Sequence, residues 1–169
     1  ACSALNDPTM ALRQAILAEQ PEDVATLLTA QGPALLASGA YALLAQGFAL
    51  LGEPRLSKRP EHTLLYGWVS HGQFQFDITA RVIGWIEAQL DEPEWQALSA
   101  EFATLRAQLA INHGDAERAA PLAEQALAAP ARYLASTPLT ATAILSEARF
   151  VLGYLEESLQ RVSEVERQA

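Results

Sequence analysis

Three histidines, His62, His71 and His113, and one cysteine, Cys2, are the side chains of this chain best suited to metal or nucleophilic chemistry. A zinc site needs three or four converging ligands. No His-Glu-x-x-His stretch and no Gly-x-Ser-x-Gly elbow is present, and a lone cysteine forms neither an internal disulfide nor a cysteine-based metal site. No metal site is expected. The carboxylates lie scattered along helical stretches, where solvated charge is their usual meaning, whereas acid–base catalysis needs acids with shifted pKa values. The chain therefore reads as a non-enzyme. His71 and His113 each stand directly before a glycine, Gly72 and Gly114, a placement that suits a helix C-terminus.

The aromatic residues are richer material. Tyr66, Trp68, Trp85 and Trp95 cluster in the middle of the chain beside Phe74 and Phe76. His62 and Ser70 each stand four residues from Tyr66, so the three share one helical face, while Leu64, Leu65, Trp68 and Val69 take the core face. An aromatic ring with a few polar groups suits a sugar, an aromatic inducer or a peptide. His62, Tyr66 and Ser70 are accordingly the expected ligand-binding residues, on the concave surface that stacked hairpins present. Trp68, Trp85 and Trp95 are expected in the core, because tryptophan is highly buried on average.

Helices must position these groups. Of 169 residues, 33 are Ala and 26 are Leu, both strong helix formers, and no Val/Ile-rich run suggests a sheet. Proline supplies the punctuation, since it is tolerated at the first helical position. Pro8, Pro21, Pro33, Pro60, Pro93 and Pro138 each precede helical apolar spacing, and Asp7 and Thr137 suit N-caps. The spacing predicts helices near 8–19, 21–31, 33–38, 40–51, 61–71, 74–90, 94–112, 115–128, 138–152 and 154–168. In 94–112, Trp95, Leu98, Phe102, Leu105 and Leu109 form one apolar face, with Glu101, Arg106 and Gln108 pointing elsewhere. Short connections make neighbouring helices antiparallel hairpins.

The 11 Lys+Arg against 20 Asp+Glu give a net charge of −9, which repels a phosphate backbone and anionic lipid. The uncharged stretch from Val24 to Gly52 is interrupted by Gln31, Gly32, Pro33, Ser38, Gly39, Gln46 and Gly47, so it reads as short buried helices and not as a membrane span. The first ten residues lack the basic start and apolar run of a secretory signal, and cytoplasmic residence is expected.

A repeat emerges when glycine turns are aligned. Gly72, Gly114 and Gly153 each separate two helices, in steps of 42 (72 to 114) and 39 (114 to 153), within the range of two-helix repeats. Ala119, Ala123 and Ala126 stand five, nine and twelve residues beyond Gly114, and small residues there let the second helix approach the first. This resembles the second helix of a tetratricopeptide repeat. Ser158, Val162 and Val165 hold the same slots after Gly153. After Gly72 the slots fall on Asp77, Arg81 and Gly84. That implies either a register slipped by one residue or an Asp77–Arg81 pair within the helix.

The order of segments carries a wider resemblance. The stretch from Ala15 to Leu28 reads as a hairpin with an acidic second helix. Gly32-Pro33-Ala34-Leu35-Leu36-Ala37-Ser38-Gly39 follows, then Leu51-Gly52-Glu53-Pro54, Arg59-Pro60 and Leu64-Leu65-Tyr66-Gly67-Trp68. Gly72 and the Gly114-Asp115-Ala116-Glu117-Arg118-Ala119 turn complete the series. This succession is similar to the helical-repeat region of MalT-like, LuxR-type transcriptional activators of the STAND class, over about residues 10–169. The resemblance implies an all-α chain of antiparallel hairpins stacked as a tetratricopeptide-like right-handed superhelix, an α-solenoid. It implies one domain over 1–169, less regular over 1–60, with repeat units near 61–90, 94–128 and 138–169. It further implies a middle segment that senses a small-molecule inducer or a regulatory protein. ATP and DNA would be bound by other modules, since no G-x-x-x-x-G-K-[ST] stretch or basic recognition helix is present. The alternative is a general tetratricopeptide-like scaffold for protein partners.

Overall fold

The computed structural model describes residues 7–154 and Arg167. These are helical, with no strand among the described residues. The helices are α1 (Pro8–Leu17), α2 (Pro21–Ala37), α3 (Tyr41–Leu51), α4 (Glu53–Leu56), α5 (Pro60–Gly72), α6 (Phe76–Glu87), α7 (Pro93–Gln96), α8 (Ser99–Asn112), α9 (Ala116–Ala128) and α10 (Thr137–Val151). The expected helix over 154–168, with Ser158, Val162 and Val165, lies outside the described residues. The chain divides into two compact units, Ala1–Ile86 and Glu87–Ala169, where the sequence suggests one continuous domain.

In the first unit α2 packs on α1, α3 and α5, and α3 packs on α5. Its core holds Leu12, Val24, Leu28, Leu35, Leu44, Phe48, Leu64, Leu65 and Val69. Asp7 caps α1 by accepting from the Thr9 N–H at 2.9 Å. Pro33 does not open a helix. It lies inside α2, which runs unbroken from Pro21 to Ala37. Proline in a helix interior loses one hydrogen bond. Val24 and Leu28 before it and Leu35 after it are all buried in the same core, and that burial offsets the loss.

In the second unit α8, α9 and α10 pack against one another. Trp95, Leu98, Phe102, Leu105 and Leu109 are all buried as the apolar spacing requires, and Trp95 stacks on Phe102 with centroids 5.7 Å apart. The segment is nonetheless two helices, because the chain turns at Ala97–Leu98 between α7 and α8. Glu101, expected to face away from the core, is fully buried. Thr137 does not cap α10 but is its first residue, after Ser136.

Five helix ends share one construction. At residues 19, 39, 74, 114 and 153 the central N–H returns to the carbonyl three residues back. The next N–H reaches five back, as in Gly114 to Ile111 and Asp115 to Ala110. This double bond pattern ends a helix when the central residue has positive φ. The values are +49° at Glu19, +76° at Gly39, +61° at Phe74, +77° at Gly114 and +90° at Gly153. The equivalent of Gly114 is therefore Phe74 and not Gly72. The steps become 40 (74 to 114) and 39 (114 to 153), and the slots five, nine and twelve residues on become Thr79, Ile83 and Ile86. All three are buried, like Ala119, Ala123 and Ala126. The register is thus slipped by two residues and not by the one the sequence suggests, and Arg81 pairs with Glu53 at 2.6 Å, not with Asp77. Gly72 has a different role: it lies close under the Tyr41 ring, where a Cβ would stand 3.0 Å from the ring edge.

Candidate functional site

Helix α5 runs through the interior of the first unit. His62, Thr63, Leu64, Leu65, Gly67, Val69 and Ser70 are all buried along it. His62, Tyr66 and Ser70 do share one face, but the structure gives them different surroundings. At His62 the face meets α2: Nε2 lies 2.8 Å from Thr29 Oγ1 and 3.1 Å from the Ala25 carbonyl oxygen. Thr29 Oγ1 itself donates to that carbonyl at 3.0 Å, so a proton on His62 Nε2 satisfies both neighbours. Burial lowers the His62 pKa, as does Arg59, against the opposing effects of the Ala25 carbonyl bond and Glu61. The imidazole is thus a neutral interior donor, 1% exposed. The expectation that His62 faces a ligand is corrected, because α2 covers it.

One turn further on Tyr66 is partly exposed, and a turn beyond it Ser70 is buried at the edge of an open space. They line a hollow of about 350 Å³ walled by Ala45, Phe48 and Ala49 of α3, and by Gly52, Glu53 and Leu56 around α4. Val69 and the glutamines Gln73 and Gln75 complete it. The α3–α4–α5 corner is fixed from within by Thr63, whose Oγ1 donates to the Leu56 carbonyl at 2.6 Å and to the Arg59 carbonyl at 3.0 Å.

The aromatic side of the hollow is built in layers. Phe48 meets Tyr66 edge-on at 5.4 Å, and Tyr66 stacks on Trp85 at 6.3 Å with planes 20° apart. The Arg81 guanidinium lies 5.7 Å from the Trp85 ring centre while bonding Glu53. The one carboxylate of the wall is thereby neutralised by Arg81. Ser70 Oγ is buried and has no hydrogen-bond partner. A buried hydroxyl without a partner costs free energy unless something supplies one.

Gln73 and Gln75 flank Phe74, an aromatic residue in the left-handed region and 81% exposed. Such backbone strain in a bulky residue often marks functional segments. The residue types carry no signal for this position, since Phe is not a turn residue. Trp95 is core as expected. Trp68 and Trp85 are half-buried, and the Trp68 Nε1 is enclosed without a partner. Among the described residues no group of three or more His, Cys, Asp or Glu is placed to hold a metal ion, and no helix is long and apolar enough to cross a membrane.

The described residues thus form an all-α protein with recurrent tight turns and an aromatic-lined hollow. Comparison with known proteins makes the assignment specific. The chain is 30% identical over 170 residues to the HTH-type transcriptional regulator MalT of Vibrio cholerae, covering 96% of this chain and 18% of that protein. It is 30% identical over 173 residues to the MalT regulators of Yersinia pestis and Yersinia pseudotuberculosis, covering 98% of this chain and 19% of each. The chain is thus a MalT-like segment, spanning less than a fifth of the length of these relatives. No family model matches the chain, and no solved structure does.

Proposed function

We propose that this chain is the non-enzymatic, effector-sensing segment of an ATP-dependent, LuxR-type transcriptional regulator. The reading rests above all on similarity to HTH-type regulators over 96–98% of the chain. The recurrent turn supports a tetratricopeptide-like, right-handed stack as the scaffold. DNA and ATP would be handled by other modules of such a regulator, in the cytoplasm, with no cofactor held by this segment.

The hollow beside Tyr66 and Ser70 is the place for a small inducer. Tyr66, backed by the buried Phe48, offers apolar surface, Gln73 and Gln75 offer amide donors and acceptors, and the enclosed Ser70 hydroxyl would gain a partner if a ligand opened the wall to reach it. A ligand that fits only one arrangement of α3, α4 and α5 would shift the regulator by its difference in affinity for the two arrangements. The test is thermal-shift screening of the purified chain against sugars and small aromatics, with Tyr66→Ala and Ser70→Ala as controls. A ligand that raises Tm in the wild type and not in the variants supports the reading. A second reading, a scaffold for protein partners, is favoured by the exposed Phe74, which meets Phe76 edge-on at 6.2 Å. Absence of any small-molecule response would select it.

A further inference from the structure

Glu101 lies on α8 with no exposure to solvent. Its Oε1 accepts three successive main-chain N–H groups, from Arg132 at 2.7 Å, Tyr133 at 2.7 Å and Leu134 at 3.4 Å. Its Oε2 is buried and has no hydrogen-bond partner. Residues 129–136, which carry those amides, form the non-helical connector between α9 and α10. A buried carboxylate is tolerated only when paired or hydrogen-bonded, and bonds to an ionised acceptor are about twice as strong as neutral ones. One oxygen of one side chain therefore both depends on the connector and holds it.

The seam on which α10 docks is made largely of alanine. Ala103, Ala107 and Ala110 come from α8, Ala116, Ala119, Ala123 and Ala126 from α9, and Ala141 and Ala148 from α10, with Ile111, Leu122, Ile144 and Leu145 as the larger contributors. Alanine buries little apolar area per residue, so such a seam gains less from exclusion of water than one built of leucine. A charged tie between α9 and α10, Arg149 with Glu124 at 2.8 Å, is half-exposed at the carboxylate and of small effect.

We propose that Glu101 is a latch. It decides whether the connector and α10 stay docked on α8 and α9, so that these two elements open together as one unit while the α8–α9 pair remains folded. The sequence hides this role, because Glu101 occupies a position that helical spacing assigns to solvent. Glu101 and the connector belong to the second unit and the hollow to the first, so the proposal does not rest on what the hollow binds.

Hydrogen exchange on the whole chain tests the proposal. In the wild type, connector and α10 amides should exchange through a common opening that is more frequent than the opening of α8 and α9 core amides. Glu101→Gln keeps the shape but weakens the acceptor and places an NH2 group where Oε2 has no partner. It should speed exchange at residues 132–134 and in α10 by about 10- to 100-fold, from the usual contribution of hydrogen bonds to charged groups. Exchange in α8 and α9 should change by far less. Equal acceleration across α8, α9 and α10, or no acceleration at 132–134, overturns the proposal. Should Glu101→Gln fail to fold, the wild-type pattern decides: a single opening shared by α8, α9 and α10 refutes the latch.

Discussion

Replacing Phe74 by glycine should stabilise the protein, against the usual cost of deleting an aromatic ring. Phe74 has φ +61°, and a left-handed conformation costs an L-residue about 1–2 kcal/mol. Glycine removes that cost but loses more chain entropy on folding, about 0.5–1 kcal/mol. The ring is 81% exposed, so little burial is forfeited, and its edge-on contact with Phe76 at 6.2 Å is worth at most about 0.5 kcal/mol in water. The balance runs from a loss of about 0.5 to a gain of about 1.5 kcal/mol, centred on a gain of about 0.5 kcal/mol, or about 1–2 °C in Tm for a chain of this size. Gly114→Ala, at φ +77° with open space around a Cβ, is the matched control and should cost about 1 kcal/mol. Urea denaturation followed by circular dichroism reads both. A loss above about 1 kcal/mol in Phe74→Gly would refute the turn assignment on which the repeat register depends.

Gly72→Ala should destabilise by about 1–2 kcal/mol through the 3.0 Å approach to the Tyr41 ring, and Tyr41→Leu in the same chain should recover most of it in a double-mutant cycle. Ala123→Leu should cost about 1–3 kcal/mol by overfilling the α8–α9–α10 seam, measured by the same denaturation. Ser70→Ala should leave the empty protein as stable or more stable by about 0.5–1 kcal/mol, because it deletes a buried hydroxyl without a partner. Burial lowers the pKa of both His62 and His71 in the fold, so near pH 6 the unfolded chain binds protons that the folded chain does not. Stability is then full above about pH 6.5 and falls as pH drops through the lowered values, and His62→Gln should flatten that fall in a pH series of melts.

Where residue type and local conformation agree, the sequence is readable. Gly114 followed by Ala119, Ala123 and Ala126 announces both a turn and a tight helix contact, and each is found. The apolar spacing from Trp95 to Leu109 likewise names buried residues correctly, although not the break at Ala97–Leu98. Sequence reasoning fails where tertiary packing overrides local preference. Nothing in Phe or Glu signals a left-handed residue, so Phe74 and Glu19 escape notice as turn centres, and the nearby Gly72 takes the role by default. Pro33 reads as a boundary because the packing of α2 on α1, α3 and α5, which carries the helix through it, is not visible in local sequence. His62 reads as a surface residue because α2, which encloses it, is 33–37 residues away in sequence. Tyr66 and Ser70 are within reach of helical spacing, whereas Gln73 and Gln75 enter the hollow only through the strained turn.

Whether the hollow beside Tyr66 is the sensing site can be read by calorimetric titration of the purified chain with whichever ligand raises its Tm in the screen. Saturable binding at one site is expected, weakened at least tenfold by Tyr66→Ala and by Ser70→Ala while both variants stay folded. Unchanged affinity in both variants would place the ligand elsewhere and remove the hollow from the mechanism.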